Sequence, residues 1–165
     1  DNSWNNEIVT LTKKYLKIKS DNIRTCTIGN KHLILFTDNL QKNTYNEQIN
    51  ILAKNRIDAD TNIHIASYEQ PNKELQNISQ KILGEKINDL YSVVTWERGC
   101  GYTQACGSGA CAVSAAALSE NLISRLNWLA IKMPGGIVFT KQADKESDIK
   151  MIGPAEKIFS GVFTL

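Results

Sequence analysis

Trp96-Glu97-Arg98-Gly99-Cys100-Gly101-Tyr102-Thr103-Gln104-Ala105-Cys106-Gly107-Ser108-Gly109-Ala110-Cys111-Ala112-Val113-Ser114-Ala115-Ala116-Ala117-Leu118 is the stretch that decides the fold. It reads as a charged pair closing a strand, then a glycine-rich loop, then a helix. Residues 110–122 are small and apolar on nearly every side, and such a helix needs burial all round. The rest of the chain must therefore wrap it. Cys106 stands just before the helix, and Gly107, Ser108 and Gly109 form its first turn.

Working outward, residues 89–96 read as the strand that feeds this loop, with Leu90, Val93 and Val94. Residues 62–68 read as another, with Ile63, Ile65 and Ser67 on one face. Between them Gln70-Pro71-Asn72 breaks the chain. Residues 73–83 predict an exposed helix with Leu75, Ile78 and Ile82 on one side, stopped by Gly84. Residues 44–55 carry Tyr45, Ile49, Leu52 and Ala53 at helical spacing. Residues 32–36 are a short apolar strand after the turn-like Gly29-Asn30. Upstream, residues 8–11 and 15–18 read as strands from their β-branched and alternating residues. Downstream, Pro134-Gly135-Gly136 joins residues 131–133 and 137–140 in a hairpin. Residues 149–152 and 157–163 close the chain as strands. The expected fold is α+β, one domain over residues 1–165, with a mostly antiparallel sheet wrapped around a central buried helix.

The 165 residues suffice for one full-sized domain with a real core. Hydrophobic residues at 42% and charged residues at 22% are ordinary globular values and exclude wholesale disorder. A net charge of +2, from 19 basic and 17 acidic residues, is too balanced to imply nucleic acid. No apolar run spans a membrane, and the polar start is no signal peptide, so the expected location is the cytoplasm. The first residue is Asp1 rather than Met, which reads as a chain trimmed or excised from something longer.

The cysteines are Cys26, Cys100, Cys106 and Cys111, expected as reduced thiols. The C-x5-C-x4-C spacing of the last three does not match zinc-binding pairs, and His32 and His64 lie far off in sequence, so no metal is expected. Cys100 and Cys111 read as small buried hydrophobes. Cys106 is different by position. The first turn of a helix carries unpaired N–H groups and partial positive charge, which can hold an anion and lower a thiol pKa. One spot can thus hold a carboxylate and offer a base beside it, the two things needed to take an α-proton from an amino acid. Donors must also stabilise the charge that develops.

Taken together, Glu97-Arg98-Gly99-x-Gly101-x-Thr103-x-Ala105-Cys106-Gly107-Ser108-Gly109-Ala110-Cys111-Ala112 resembles the C-terminal signature of the diaminopimelate epimerase family. Gly29-Asn30-Lys31-His32 resembles that family's Gly-Asn-Pro-His element, and Thr61-Asn62 its Val-Asn element. Met133-Pro134-Gly135-Gly136, Met151-x-Gly153-Pro154-Ala155 and Phe159-x-Gly161 match later blocks, so the resemblance runs over residues 28–165.

The resemblance implies two similar α+β domains with the site between them. It also implies conversion of LL-diaminopimelate to the meso form by two cysteines, without pyridoxal phosphate, metal or any other cofactor, in bacterial lysine and peptidoglycan synthesis. On it, Cys106 is one acid/base thiol and the N–H groups of Gly107 and Ser108 hold the reacting carboxylate. Glu97 and Arg98 bind the distal ammonium and carboxylate, Asn30 and Asn62 add hydrogen bonds, and His32 supports them from behind. An Arg fork suits a carboxylate.

The chain departs from the family where the other thiol should be. The Cys-Gly-Asn-Gly-x-Arg element is absent, and Cys26, followed by Thr27-Ile28, does not replace it. The chain thus reads as a C-terminal half whose N-terminal domain is missing, inactive alone, and compatible with a homodimer. Tyr102 stands in place of an acidic residue, Lys31 in place of a proline, and residues 69–89 look like an insertion. Two other readings compete. One is a racemase of another amino acid such as proline, whose family shares the two-thiol architecture but lacks the Glu-Arg-Gly-x-Gly lead. The other is a non-catalytic diaminopimelate-binding or interaction domain.

Overall fold

A computed structural model describes residues 2–124, 127–144 and 147–163. The elements in chain order are α1 (Asn2–Leu16), β1 (Ile23–Ile28), β2 (Asn30–Phe36), α2 (Lys42–Lys54), β3 (Asn62–Glu69) and α3 (Lys73–Leu83). There follow β4 (Asp89–Glu97), β5 (Gly101–Thr103), α4 (Gly107–Ser119), β6 (Leu129–Met133), β7 (Gly136–Lys141) and β8 (Lys150–Ile152).

The strands form one sheet in the order β1-β2-β3-β4-β6-β7-β8, with β5 hanging from the end of β4. Two of its seams are parallel, β2 with β3 and β4 with β6, and the rest are antiparallel. A parallel seam needs a crossover connection. Here α2 crosses from β2 to β3, and α4 crosses from β4 to β6.

The expected architecture holds: a mostly antiparallel sheet curls around α4. Ala110, Ala112, Val113, Ala116, Ala117 and Leu118 of α4 pack against Ile34, Ala66, Val93, Leu129 and Ile131 of the sheet. The small side chains of α4 let five of the strands, β1, β2, β3, β6 and β7, approach it. Its end is set by Asn121 in the left-handed region, which lets the Leu122 N–H reach the Ala117 carbonyl at 3.0 Å.

The sheet is buried on its outer face as well. Leu33 and Leu35 of β2 and Ile63 and Ile65 of β3 point away from α4 into a second core with Ile8, Ile49 and Leu52. β3 is therefore buried along both faces from Asn62 to Ser67 rather than on one. A third cluster seats α3 through Leu75 against Leu90, Ala130 and Phe139. α3 starts and stops where the sequence predicts. Asn72 caps it by accepting from the Leu75 N–H, and Gly84 leaves it with φ +75°.

Two segments differ from expectation. Residues 8–11 and 15–18 lie largely in α1, not in strands. The β-branched run Ile8-Val9-Thr10 suggested a strand, but Trp4, Ile8, Thr12 and Tyr15 recur every three to four residues. That stripe packs on β1 and α2, so tertiary burial overrides a weak local propensity. Residues 157–163 take no regular structure. A strand needs a neighbour to complete its ladder, and this segment stands out with Ile158 92%, Phe159 84%, Val162 98% and Phe163 85% exposed. No helix among the described residues is long and apolar enough to cross a membrane.

The tight seat of α4 makes a prediction. Ala117, fully buried, has no room for added methylenes, so Ala117→Leu lowers stability by about 1–3 kcal/mol. Ile82→Ala, half-exposed on α3, changes it by less than about 0.5 kcal/mol. Urea unfolding followed by circular dichroism compares the two.

Candidate active site

The topology gathers the candidate residues at one end of the sheet. β2 and β3 run parallel, with His32 beside Asn62, so both strands start there. β4 runs antiparallel to β3, with Trp96 opposite Ile63, so its end arrives at the same place with Glu97 and then Arg98. The N-terminus of α4 is brought to this end by the short β5 hairpin, in which Gly99 and Gly101 adopt positive φ.

Cys106 is the N-cap of α4, in extended conformation. Its Sγ accepts the Gly109 N–H at 3.4 Å and lies 3.5 Å from the Ser108 hydroxyl. Its own N–H points at Met133 Sδ, 3.4 Å away. The N–H groups of Gly107 and Ser108 open the helix and have no intrahelical acceptor. Gly107 is exposed and Ser108 half-buried, so these donors border the surface while Cys106 is only 7% exposed.

The position predicts a depressed thiol pKa; the structure gives the opposite. Burial pushes the Cys106 thiol above its ordinary value, and the Glu97 carboxylate pushes it further. The Ser108 hydroxyl and Gly109 N–H pull it down but do not win. Glu97 thus faces Cys106, and its charge is felt by His32 too. Cys106, Ser108, Glu97 and His32 form one cluster.

Beside it lies a second. The Asn62 side-chain carbonyl accepts the backbone N–H of Arg98 at 2.9 Å, tying β3 to the loop after β4. The Arg98 guanidinium meets Asp60 at 3.2 Å, and Lys31 donates to the other Asp60 oxygen. These two cations hold the Asp60 carboxyl below its ordinary pKa, Lys31 the more strongly. Lys31 also lies over the Trp4 ring, 5.1 Å from its centroid. Asn30 opens β2 at the same edge, exposed. Tyr102 turns toward α2: its hydroxyl donates to Asn46, and its ring meets Trp96 and Tyr45 edge-on.

Cys100 is exposed, contrary to its reading as a buried hydrophobe, because the glycine turn carries it outward. Cys111 is half-buried within α4 as its sequence suggests. Among the described residues no cluster of three His, Cys, Asp or Glu side chains could hold a metal ion.

Two residues at this end escaped the sequence reading. Asp60 lies in a polar run with nothing to mark it. His64, two positions beyond Asn62 on the buried strand, is fully buried and contacts His32 through its Nε2 at 2.8 Å. Its pKa is pushed down to about 3, by burial first and by His32 second. Its ring also rests on α4 at Gly109, where an added Cβ would run into Cε1.

Comparison with known proteins follows the same residues. The diaminopimelate epimerase family model matches residues 24–158. A diaminopimelate epimerase of Prochlorococcus marinus (strain NATL1A) is 31% identical over 157 residues, covering 94% of this chain and 47% of the relative. One from Elusimicrobium minutum is 32% identical over 148 residues, covering 89% and 46%. One from Natranaerobius thermophilus is 42% identical over 77 residues, covering 47% and 25%. The chain belongs to the diaminopimelate epimerase family, and it spans about half the length of the curated relatives it matches.

Two outcomes follow from the electrostatics. With its pKa raised, Cys106 is alkylated slowly by iodoacetamide near neutral pH and faster as the pH rises. Glu97→Gln removes a charge that raises the pKa and so speeds the neutral-pH reaction. Peptide mass spectrometry separates Cys106 from exposed Cys100, which reacts first. The second outcome concerns stability. The folded chain resists protonating His64 and His32, whose pKa values are both lowered by burial. The unfolded chain binds those protons once pH drops below the ordinary histidine value, so stability is full above it and declines below. The urea midpoint therefore falls between about pH 7 and about pH 5, where unperturbed carboxylates contribute little, and His64→Gln flattens that slope.

Proposed function

We propose that this chain, a member of the diaminopimelate epimerase family, is the C-terminal half-domain of a cofactor-independent, two-thiol epimerase acting on LL-diaminopimelate. The observation that carries the reading is the placement of Cys106 as the cap of a buried helix, facing Glu97. The Gly107 and Ser108 N–H groups hold the reacting α-carboxylate at the positive end of α4. Glu97 receives the distal ammonium and Arg98 the distal carboxylate. Asn30 adds a hydrogen bond. Asn62, whose oxygen is already used by Arg98, offers its amide N–H.

The chemistry balances with one proton leaving and one arriving. A thiolate on the opposite wall takes the α-proton while its electron pair stays on the α-carbon. The charge spreads into the carboxylate held by the α4 donors. Cys106 then delivers its S–H proton to the other face and becomes a thiolate. A raised pKa keeps Cys106 protonated in the free chain, which suits this role as acid. In the reverse direction the two thiols exchange roles.

The opposite wall comes from an N-terminal half. Ile158, Phe159, Val162 and Phe163 form an exposed apolar run beyond what a solvated surface normally carries. A groove of about 360 Å³ beside Ala105, Met133, Met151 and Pro154 adjoins Cys106. Both support docking of an N-terminal half that brings the second cysteine. The assembled enzyme works in the cytoplasm in lysine and peptidoglycan precursor synthesis, alone or as a homodimer.

Solvent-deuterium exchange tests the reading. The chain alone, given LL-diaminopimelate in D2O, incorporates no α-deuterium. The same chain joined to an N-terminal half from a family member exchanges and inverts diaminopimelate but not proline. Cys106→Ala abolishes the inversion. Turnover by the chain alone, exchange of proline, or inversion that survives Cys106→Ala would each overturn the proposal.

A further inference from the structure

The end of the sheet away from Cys106 carries a cavity of its own. β2 ends there at Phe36, β3 ends there with Tyr68 and Glu69, and β4 starts there with Asp89 and Tyr91. Asn62 and Tyr68 mark the two ends of β3, so at the rise of a strand this end lies about 20 Å from the candidate active site. The cavity measures about 380 Å³ and opens between the strand ends, the turn before β1 and Leu122, just past α4. Its size falls within the roughly 300–1,000 Å³ of small-molecule sites.

Three aromatic rings wall it. Phe36 and Tyr91 lie 5.5 Å apart between centroids and tilt by 59°, and Tyr68 meets Tyr91 edge-on at 5.6 Å. Tyr91 is 4% exposed and Tyr68 42%, so Tyr91 forms the floor and Tyr68 the rim. Although exposed, Tyr68 is held. Gln70 donates to its hydroxyl at 3.0 Å, and Asp89 lies 3.4 Å from it. The ring is therefore placed before a ligand arrives.

The Tyr91 hydroxyl departs from ordinary pairing. It belongs to a residue that is buried and lines the cavity, yet it has no hydrogen-bond partner among the described residues. Polar groups at such depth are nearly always paired, so this one marks a place for a ligand's donor or acceptor. Burial first, then Asp89 and Tyr68, push its pKa up to about 12, so it is a neutral phenol that can accept a hydrogen bond.

The charge around the cavity decides which ligand. Asp21 and Asp38 line it, and among the described residues no Lys, Arg or His does. Arg24, two residues beyond Asn22, is taken by Glu120. The last turn of α4, the negative end of its dipole, finishes just before Leu122. An anion is repelled here. A cation finds ring faces, which attract it within about 6 Å, and carboxylates beside them. If it also carries an N–H, the Tyr91 oxygen accepts it. Phe36 and Leu122 suit a short apolar chain, which would cover surface that Leu122 leaves 51% exposed.

We propose that this cavity binds a small primary alkylammonium ion, with the ammonium among the tyrosine rings, donating to the Tyr91 hydroxyl under the charge of Asp21 and Asp38, and the alkyl chain on Phe36 and Leu122. The site uses none of the residues around Cys106, so it stands or falls apart from the epimerase reading.

Titration of the 15N-labelled chain with n-butylammonium chloride at constant ionic strength, followed by 1H–15N correlation spectra, tests this. The expected result is saturable shifts confined to the amides around Phe36, Tyr68, Tyr91 and Leu122. n-Butanol has the chain without the charge, and tetramethylammonium has the charge without an N–H. Each binds about tenfold more weakly or worse, the worth of a charged hydrogen bond. Tyr91→Phe keeps the ring, removes the hydroxyl and weakens butylammonium by about tenfold. Unsaturable shifts, shifts spread over acidic residues elsewhere, or equal binding of butanol or tetramethylammonium would each overturn the proposal, and those arms use the unaltered chain. An unchanged affinity in Tyr91→Phe does the same.

Discussion

The burial of α4 is the constraint on which the rest depends. A helix of alanines, a valine and a leucine offers water no polar face, so the sheet must enclose it. Enclosing it with a chain that crosses from β4 to β6 makes that seam parallel and turns the sheet around the helix. The helix must also begin somewhere. Its N-terminus falls where β2 and β3 start and β4 ends, so the strand ends deliver Asn30, His32, Asn62 and Glu97 to the same place as Cys106. The site is a consequence of where a buried helix can start.

Much of this was legible because the signals were local and mutually consistent. The apolar run of α4 and the stop at Gly84 each name their own structure. So did the hairpin at residues 134–136. The motif residues Glu97, Arg98 and Cys106 were legible as a group, through the resemblance of the whole stretch to a family signature. What failed was non-local. α1 looks like strand material until β1 and α2 are there to receive Trp4, Ile8 and Tyr15. Residues 157–163 look like a strand because their residues suit one, but propensity cannot supply a neighbour. His64 was unreadable because a histidine in a buried strand has no local mark. Its neighbours, Thr95, His32 and Gly109, lie far from it in sequence.

Cys106 shows two effects of one position in opposition. The start of a helix favours a thiolate through its N–H donors and its partial charge. The same start is buried because the helix is buried, and burial disfavours charge. Here burial wins, with Glu97 adding to it. On the proposed reading, a substrate carboxylate on the helix donors would add negative charge near the sulfur, and an ammonium beside Glu97 would offset the carboxylate that raises its pKa.

The Asp60 carboxylate is likewise set between opposing charges. It stands between Lys31 and Arg98, where it matches two cations with one anion, and it is exposed. Without it, Lys31 and Arg98 would repel one another across the edge of the site. An exposed ion pair is weak and readily exchanged, so it does not lock the guanidinium away from an incoming carboxylate. A planar fork can hold two carboxylates along different edges, and Arg98 already has its backbone fixed by Asn62. Asp60 thus engages one edge of an Arg98 guanidinium that stays half-exposed. The Lys31 charge is accommodated because Asp60 balances it and the Trp4 ring of α1 lies beneath it.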